Sequence, residues 1–140
     1  MQGIWCDNNE YQLRDDEVRC DGFGTPVRMG CARPVQALLM ARASFDAARA
    51  HRPDERPFVL SRSACVGMQR YAQTWSGDNR TSWHSLRWNI PMGLSLSVSG
   101  MPNCGHDVGG FAGPAPAPEL LVRWVQNGVF HPRFCIHSWN

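Results

Sequence analysis

Apolar positions along this chain come in two patterns that take turns, short uninterrupted runs and longer stretches with a helical period. Residues 33–50, RPVQALLMARASFDAARA, place apolar side chains at Val35, Leu38, Leu39 and Met40 and again at Phe45, Ala47 and Ala48, which predicts a helix with Pro34 in its first turn. RPFVLSRS, residues 56–63, is a short apolar run opened by Pro57 and predicts a strand buried on both faces, as strands of a parallel sheet are. QRYAQTW, from Gln69, reads as a strand or a tight helical turn. The following TSWHSLRWNIPMGLSLSV has Trp83, Leu86 and Ile90 at helical spacing. NCGHDVGGF, residues 103–111, has the small residues of a crowded strand end, and APELLVRWVQNG, residues 117–128, predicts a helix capped by Gly128. HPRFCIHSWN supplies a last short strand ending at His137. GPAPAPE, residues 113–119, is a proline-rich connection.

Strand and helix alternating in this way imply right-handed crossovers and a parallel α/β sheet, either doubly wound or closed into a barrel. The polar residues choose between the two. Asp7, Arg62, Asp78, Asp107 and His137 each stand where an apolar run gives way to a polar or Gly-rich loop, the carboxyl end of a strand. In a (β/α)8 barrel that end is the catalytic face. Gly77-Asp78-Asn79 between two tryptophans would by itself be an ordinary turn. A second acid in the same setting, Asp7 in GIWCDNNE, points instead to paired carboxylate chemistry.

Composition narrows the function classes. The chain has 140 residues, the length of one domain, and 14 basic against 12 acidic residues leave a net charge of +2, scattered rather than striped, so no nucleic-acid partner is implied. No apolar run approaches the roughly 18 residues of a membrane span, and MQGIWCDNNE lacks the plan of a signal peptide, which favours a soluble protein and a cytoplasmic compartment. Six cysteines, Cys6, Cys20, Cys31, Cys65, Cys104 and Cys135, include no C-x-x-C pair and predict reduced, mostly buried thiols. His51, His84, His106 and His131 share no ligand spacing and are read as solvent-facing or supporting residues, so no metal and no cofactor is assigned. Trp83, Trp88 and Trp124 read as core, the methionines as packing, and Arg14, Asp15, Asp16 and Glu17 as a solvated surface. Glu10 lies near Asp7 and is a candidate to orient it. Asn79-Arg80-Thr81 matches a glycosylation acceptor formally but overlaps the Asp78 turn.

Taken together, GIWCDNNE, LSRSACVGMQRYAQTWSGDN, GHDVGGF and HPRFCIH resemble, in order, four segments of glycoside hydrolase family 31, the retaining α-glucosidase family, whose catalytic domain is a (β/α)8 barrel. The resemblance covers nearly the whole chain. It implies that Asp7 is the nucleophile and Asp78 the general acid/base. It further implies that Asp107 and His137 bind hydroxyls of the first-subsite sugar, that Arg62 is the arginine near the acid, and that Trp5, Trp75 and Phe111 are apolar walls. Asn8 and Cys135 depart from residues common in the family, Met and Arg. A full barrel runs to about 250 residues. Residues 1–140 are therefore expected to be the partial catalytic barrel, about its fourth to eighth strand-helix units, without amino-terminal strands or any β-sandwich. The implied substrate is an α-glucoside oligosaccharide or small glycoside, hydrolysed by double displacement. Transglucosylation with the same two acids, or an inactive truncated fragment, are the alternatives, and no oligomeric state is legible.

Overall fold

A computed structural model describes residues 3–139, and the chain forms two compact units, Met1–Ala72 and Gln73–Asn140. The first contains β1 (Ile4–Cys6), β2 (Arg19–Asp21), β3 (Pro26–Arg28), α1 (Met29–His51), β4 (Val59–Ser61) and a single 3-10 turn, Met68–Arg70. Strands β1 and β4 pair in parallel with Cys6 opposite Ser61, while β2 and β3 form an antiparallel hairpin. Strand β4 is buried along its whole length, as its apolar run predicts. Ala37 and Ala41 are fully buried on α1, small residues that let the helix approach closely. Met68 is fully buried as well, and the Phe45 ring meets Tyr71 edge-on at 5.7 Å.

Helix α1 starts at Met29, earlier than the periodicity indicates, so Pro34 lies inside it rather than in its first turn. Orphan N–H groups at the start of a helix need acceptors. Here loop carbonyls provide them, with Met29 N donating to Val18 O at 2.8 Å and Gly30 N to Asp16 O at 3.2 Å. The charge run before the helix is exposed, as expected, and also pairs with cations at the helix start. Asp16 pairs with Arg33, Glu17 with Arg28 at 3.1 Å, and Arg33 also donates to the Leu13 carbonyl at 3.1 Å.

The second unit contains β5 (Gln73–Trp75), α2 (Trp83–Val98), β6 (Cys104–Asp107), α3 (Pro118–Gly128) and β7 (Arg133–Cys135). The segment from Gln69 thus holds both of the elements weighed for it, the end of a 3-10 turn and then a strand. The three strands run parallel, with Thr74 opposite Cys104 and Asp107 opposite Cys135. Leu86, Val108, Leu120 and Trp124 form the core, with Val125 against it. Leu120, Trp124 and Gly128 share one face of α3 by their four-residue spacing. Gly128 is the last helical residue and not a left-handed cap. A Cβ there would come within 2.8 Å of Val108 Cγ2 and 3.1 Å of the Phe134 ring. Strand β7 ends at Cys135, two residues short of His137.

Ser82 caps α2, its hydroxyl accepting from Ser85 N at 3.1 Å. The buried residues of α2 are Leu86, Asn89 and Gly93. Trp83 and Trp88 are exposed, and of the three tryptophans read as core only Trp124 is buried. Met40 and Met92 are likewise exposed. The six cysteines are free thiols, but only Cys104 is buried, Cys31 is exposed and the other four are intermediate. No helix among the described residues is long and apolar enough to cross a membrane.

Candidate active site

In the first unit the chain leaves β1 at Cys6 and presents Asp7 as the next residue. Asn8 then takes a left-handed conformation, φ 52°, which Asn tolerates better than a branched or bulky side chain. The reversal sends Asn9 inward, where it is buried. Its amide donates to Ser61 Oγ at 2.8 Å and its carbonyl oxygen accepts from Ser63 N at 2.9 Å. Arg62 N donates to Cys6 O at 3.0 Å. The segments following β1 and β4 are thereby fastened together, which places Arg62 beside Asp7.

The Arg62 guanidinium is the hub of this cluster. Nη1 stands 3.0 Å from Asp7 Oδ1. Nη2 donates to Asn8 Oδ1 at 2.6 Å, while Nε and Nη2 reach the two oxygens of Glu10 at 2.5 and 3.0 Å. Such a forked pairing fixes direction as well as distance. The Arg62 fork holds the Glu10 carboxyl below its ordinary 4.5. Asp7 also accepts from Asn8 N at 2.9 Å, and its side chain keeps 42% of its surface open. Trp5 is also exposed and, two residues earlier on the strand, lies on the Asp7 side of it.

In the second unit, β5 ends at buried Trp75 and turns through Gly77, φ 76°, so that Asp78 is exposed. Asn79 anchors the turn. Its side chain donates to Ser76 Oγ at 2.5 Å, and its carbonyl accepts from Phe111 N at 2.8 Å and Ala112 N at 3.0 Å. The amide of this glycosylation-like asparagine is thus engaged inside the protein. Gly110, φ 88°, is needed for the contact, because a Cβ would fall 2.6 Å from Thr81 Cα.

Asp107, the last residue of β6, is fully buried. Arg133 Nη1 lies 3.7 Å from its Oδ1, an ion pair beyond hydrogen-bond length. Burial pushes the Asp107 carboxyl up to about 6; Asp78 adds to the rise, whereas Arg133 and His137 oppose it. The Arg133 guanidinium also sits 5.5 Å from the Trp75 ring centre. Phe111 meets His137 at 5.1 Å between ring centres and Trp139 edge-on at 6.0 Å. His106 is buried, with Nδ1 2.8 Å from Ser76 Oγ and its ring 4.8 Å from that of His131. Burial, then the neighbouring His131 and Arg133, lower its titration to about 4. Among the described residues no three His, Cys, Asp or Glu side chains are grouped to hold a metal.

The expected site residues therefore fall into two sets. Trp5, Asp7 and Arg62 cluster in the first unit, and Trp75, Asp78, Asp107, Phe111 and His137 gather at strand ends and following loops of the second. Sequence reasoning missed Arg133, Asn9, Ser61 and the Asn79-Ser76-His106 contacts. Arg133 alone left a signal, a lone cation inside the last apolar run.

A family model described as the glycosyl hydrolases family 31 TIM-barrel domain matches residues 1–140. The chain is 38% identical to alpha-glucosidase 2 of Bacillus thermoamyloliquefaciens over 98% of its own length and 18% of that protein. It is 43% identical to the glucosidase 2 subunit alpha of Saccharomyces cerevisiae over 96% of its length and 15% of that protein. Among solved structures, the family 31 alpha-glucosidase from Bacteroides thetaiotaomicron superimposes with a TM-score of 0.80 at 37% identity, covering 98% of this chain and 22% of that one. The chain spans less than a quarter of the length of each.

Proposed function

Because the chain belongs to glycoside hydrolase family 31, we propose that the protein carrying it hydrolyses terminal α-glucosidic bonds, with retention and through a covalent glycosyl-enzyme intermediate. Asp7 attacks the anomeric carbon while Asp78, protonated, gives its proton to the departing oxygen. A water then enters, Asp78 takes its proton, and the ester to Asp7 is hydrolysed. This reaction requires the two carboxyl groups about 5–5.5 Å apart.

The observation that carries the reading is the Arg62 cluster. Asp7 stands at a strand end, open to a substrate, with a guanidinium 3.0 Å from one oxygen. A nucleophilic carboxylate needs its charge held in place. Glu10 and Asn8 engage Nε and Nη2 of Arg62, which anchors the cation at the site. In the same reading Asp107 and His137 bind sugar hydroxyls, and Trp5, Trp75 and Phe111 supply apolar surface to the ring.

The test is to follow hydrolysis of aryl α-glucoside by proton NMR in the complete protein. The α anomer of glucose must form first and mutarotate afterwards; β-glucose appearing first refutes the double displacement. Parallel trials with α-xyloside, α-galactoside and sulfoquinovoside must give slower turnover than the glucoside.

A further inference from the structure

We infer that His106 is a positioning residue for Asp78, the buried end of an Asn79-Ser76-His106 hydrogen-bond chain that fixes the turn presenting the acid. The inference rests on the proposed role of Asp78. Its geometry lies wholly in the second unit. The Asn79 amide nitrogen can only donate, so Ser76 Oγ accepts from it at 2.5 Å. The hydroxyl proton is then available to His106 Nδ1, 2.8 Å away, and the ring carries its own proton on Nε2. The Asn89 backbone favours a proton on the ring, although no hydrogen bond reaches Nε2.

Two features make this chain a support for Asp78. First, Asn79 is fastened at both ends of the residue, its side chain to Ser76 and its carbonyl to Phe111 N and Ala112 N. Asp78 lies between that anchor and Gly77, whose φ of 76° other residues adopt only with strain. Second, His106 is 2% exposed and sits on β6, within the rigid sheet. Burial keeps the ring neutral well below neutral pH, and with its single proton on Nε2 the Nδ1 atom is an acceptor. A protonated ring would instead donate to Ser76 Oγ and turn the serine proton away without a partner.

Asp78 rides on this Gly-Asp-Asn turn, whose backbone is closed by Asn79 N donating to Gly77 O at 2.9 Å. A general acid must lie within about 2.6–3.2 Å of the oxygen it protonates, and a displacement near 1 Å can cost on the order of a hundredfold in rate. Loosening the Asn79 side chain therefore reduces proton donation first, because the bonds from Phe111 N and Ala112 N to its carbonyl remain.

The experiment compares a disaccharide, whose leaving group needs a proton, with an activated aryl α-glucoside, in the complete protein. His106→Gln and Ser76→Ala should each lower kcat on the disaccharide on the order of ten- to a hundredfold and change the aryl substrate far less, with little effect on KM. His106→Asn, which returns an amide oxygen close to the position of Nδ1, should recover most of the loss. Equal losses on both substrates, or His106→Asn no better than His106→Gln, would overturn the inference. Should His106→Gln fail to fold, the half-buried Ser76→Ala carries the same comparison. Asp78→Ala is run alongside. If it too lacks dependence on the leaving group, the acid assignment falls and this inference with it. If it shows the dependence and Ser76→Ala does not, this inference alone fails.

Discussion

Replacing Arg62 with methionine keeps an apolar stem and removes the guanidinium, leaving Asp7, Asn8 and Glu10 without their shared donor. Hydrogen bonds to charged groups contribute about 1.5–3 kcal/mol when screened from water, whereas exposed ion pairs contribute about 0–1 kcal/mol. Arg62 is 17% exposed, but Glu10 keeps 31% and Asp7 42% of its side-chain surface in solvent. The Glu10 fork therefore falls near the low end of the first range and the Asp7 pair within the second, a combined loss of about 1.5–2.5 kcal/mol. At roughly 2–4 °C for each kcal/mol in a domain of about 150–250 residues, the melting point should fall by roughly 3–10 °C. The pH dependence has a definite sign. Glu10 titrates below its ordinary 4.5 in the fold, so its contribution is present above that value and disappears as pH falls through the folded one. Urea unfolding followed by tryptophan fluorescence should show a large gap between wild type and Arg62→Met near neutral pH and a smaller one at about pH 3. Equal midpoints at neutral pH, or a gap undiminished in acid, would refute the reasoning.

Carboxyl NMR should place the Asp107 midpoint near 6 and move it higher in Arg133→Met, since Arg133 opposes the rise; a midpoint at or below the ordinary 3.8 would contradict the burial argument. The sign also runs opposite to that of Glu10: Asp107 favours the fold fully below 3.8, and that contribution is lost as pH rises to about 6. Residues 1–140 expressed alone should self-associate and lack turnover, since Val98 and Phe130 are each 87% exposed and Trp139 80%; a monodisperse monomer by size-exclusion chromatography that hydrolyses aryl α-glucoside would oppose this.

The strand ends were legible because a short apolar run that stops at a charged residue announces both the strand and its exit. Asp7 after Cys6 and Asp107 at the end of β6 read this way, and so did Arg62 after fully buried β4. The β2–β3 hairpin was not. Its strands, Arg-Cys-Asp and Pro-Val-Arg, are three residues each and mostly exposed, too short for the alternation around Cys20 and Val27 to stand out, so the clearer signal was the Asp-Gly turn between them. Pro34 misplaced the start of α1, because loop carbonyls at Asp16 and Val18 took over the first helical N–H groups. Arg133 and His106 were hidden for a related reason. Burial of a polar residue depends on what faces it across the sheet, and Gly105 opposite Arg133 leaves that room: a Cβ at Gly105 would lie 2.1 Å from the Arg133 carbonyl oxygen.

The assignment of Asp7 is tested most directly by trapping. Incubating the complete protein with 5-fluoro-α-glucosyl fluoride slows hydrolysis of the glycosyl ester, and peptide mass spectrometry then locates the label. The account predicts one sugar per protein on the peptide containing Asp7, and none on Asp7→Asn protein, whose amide is too weak a nucleophile. A label on Asp78 or Glu10, or full labelling of Asp7→Asn, would contradict it.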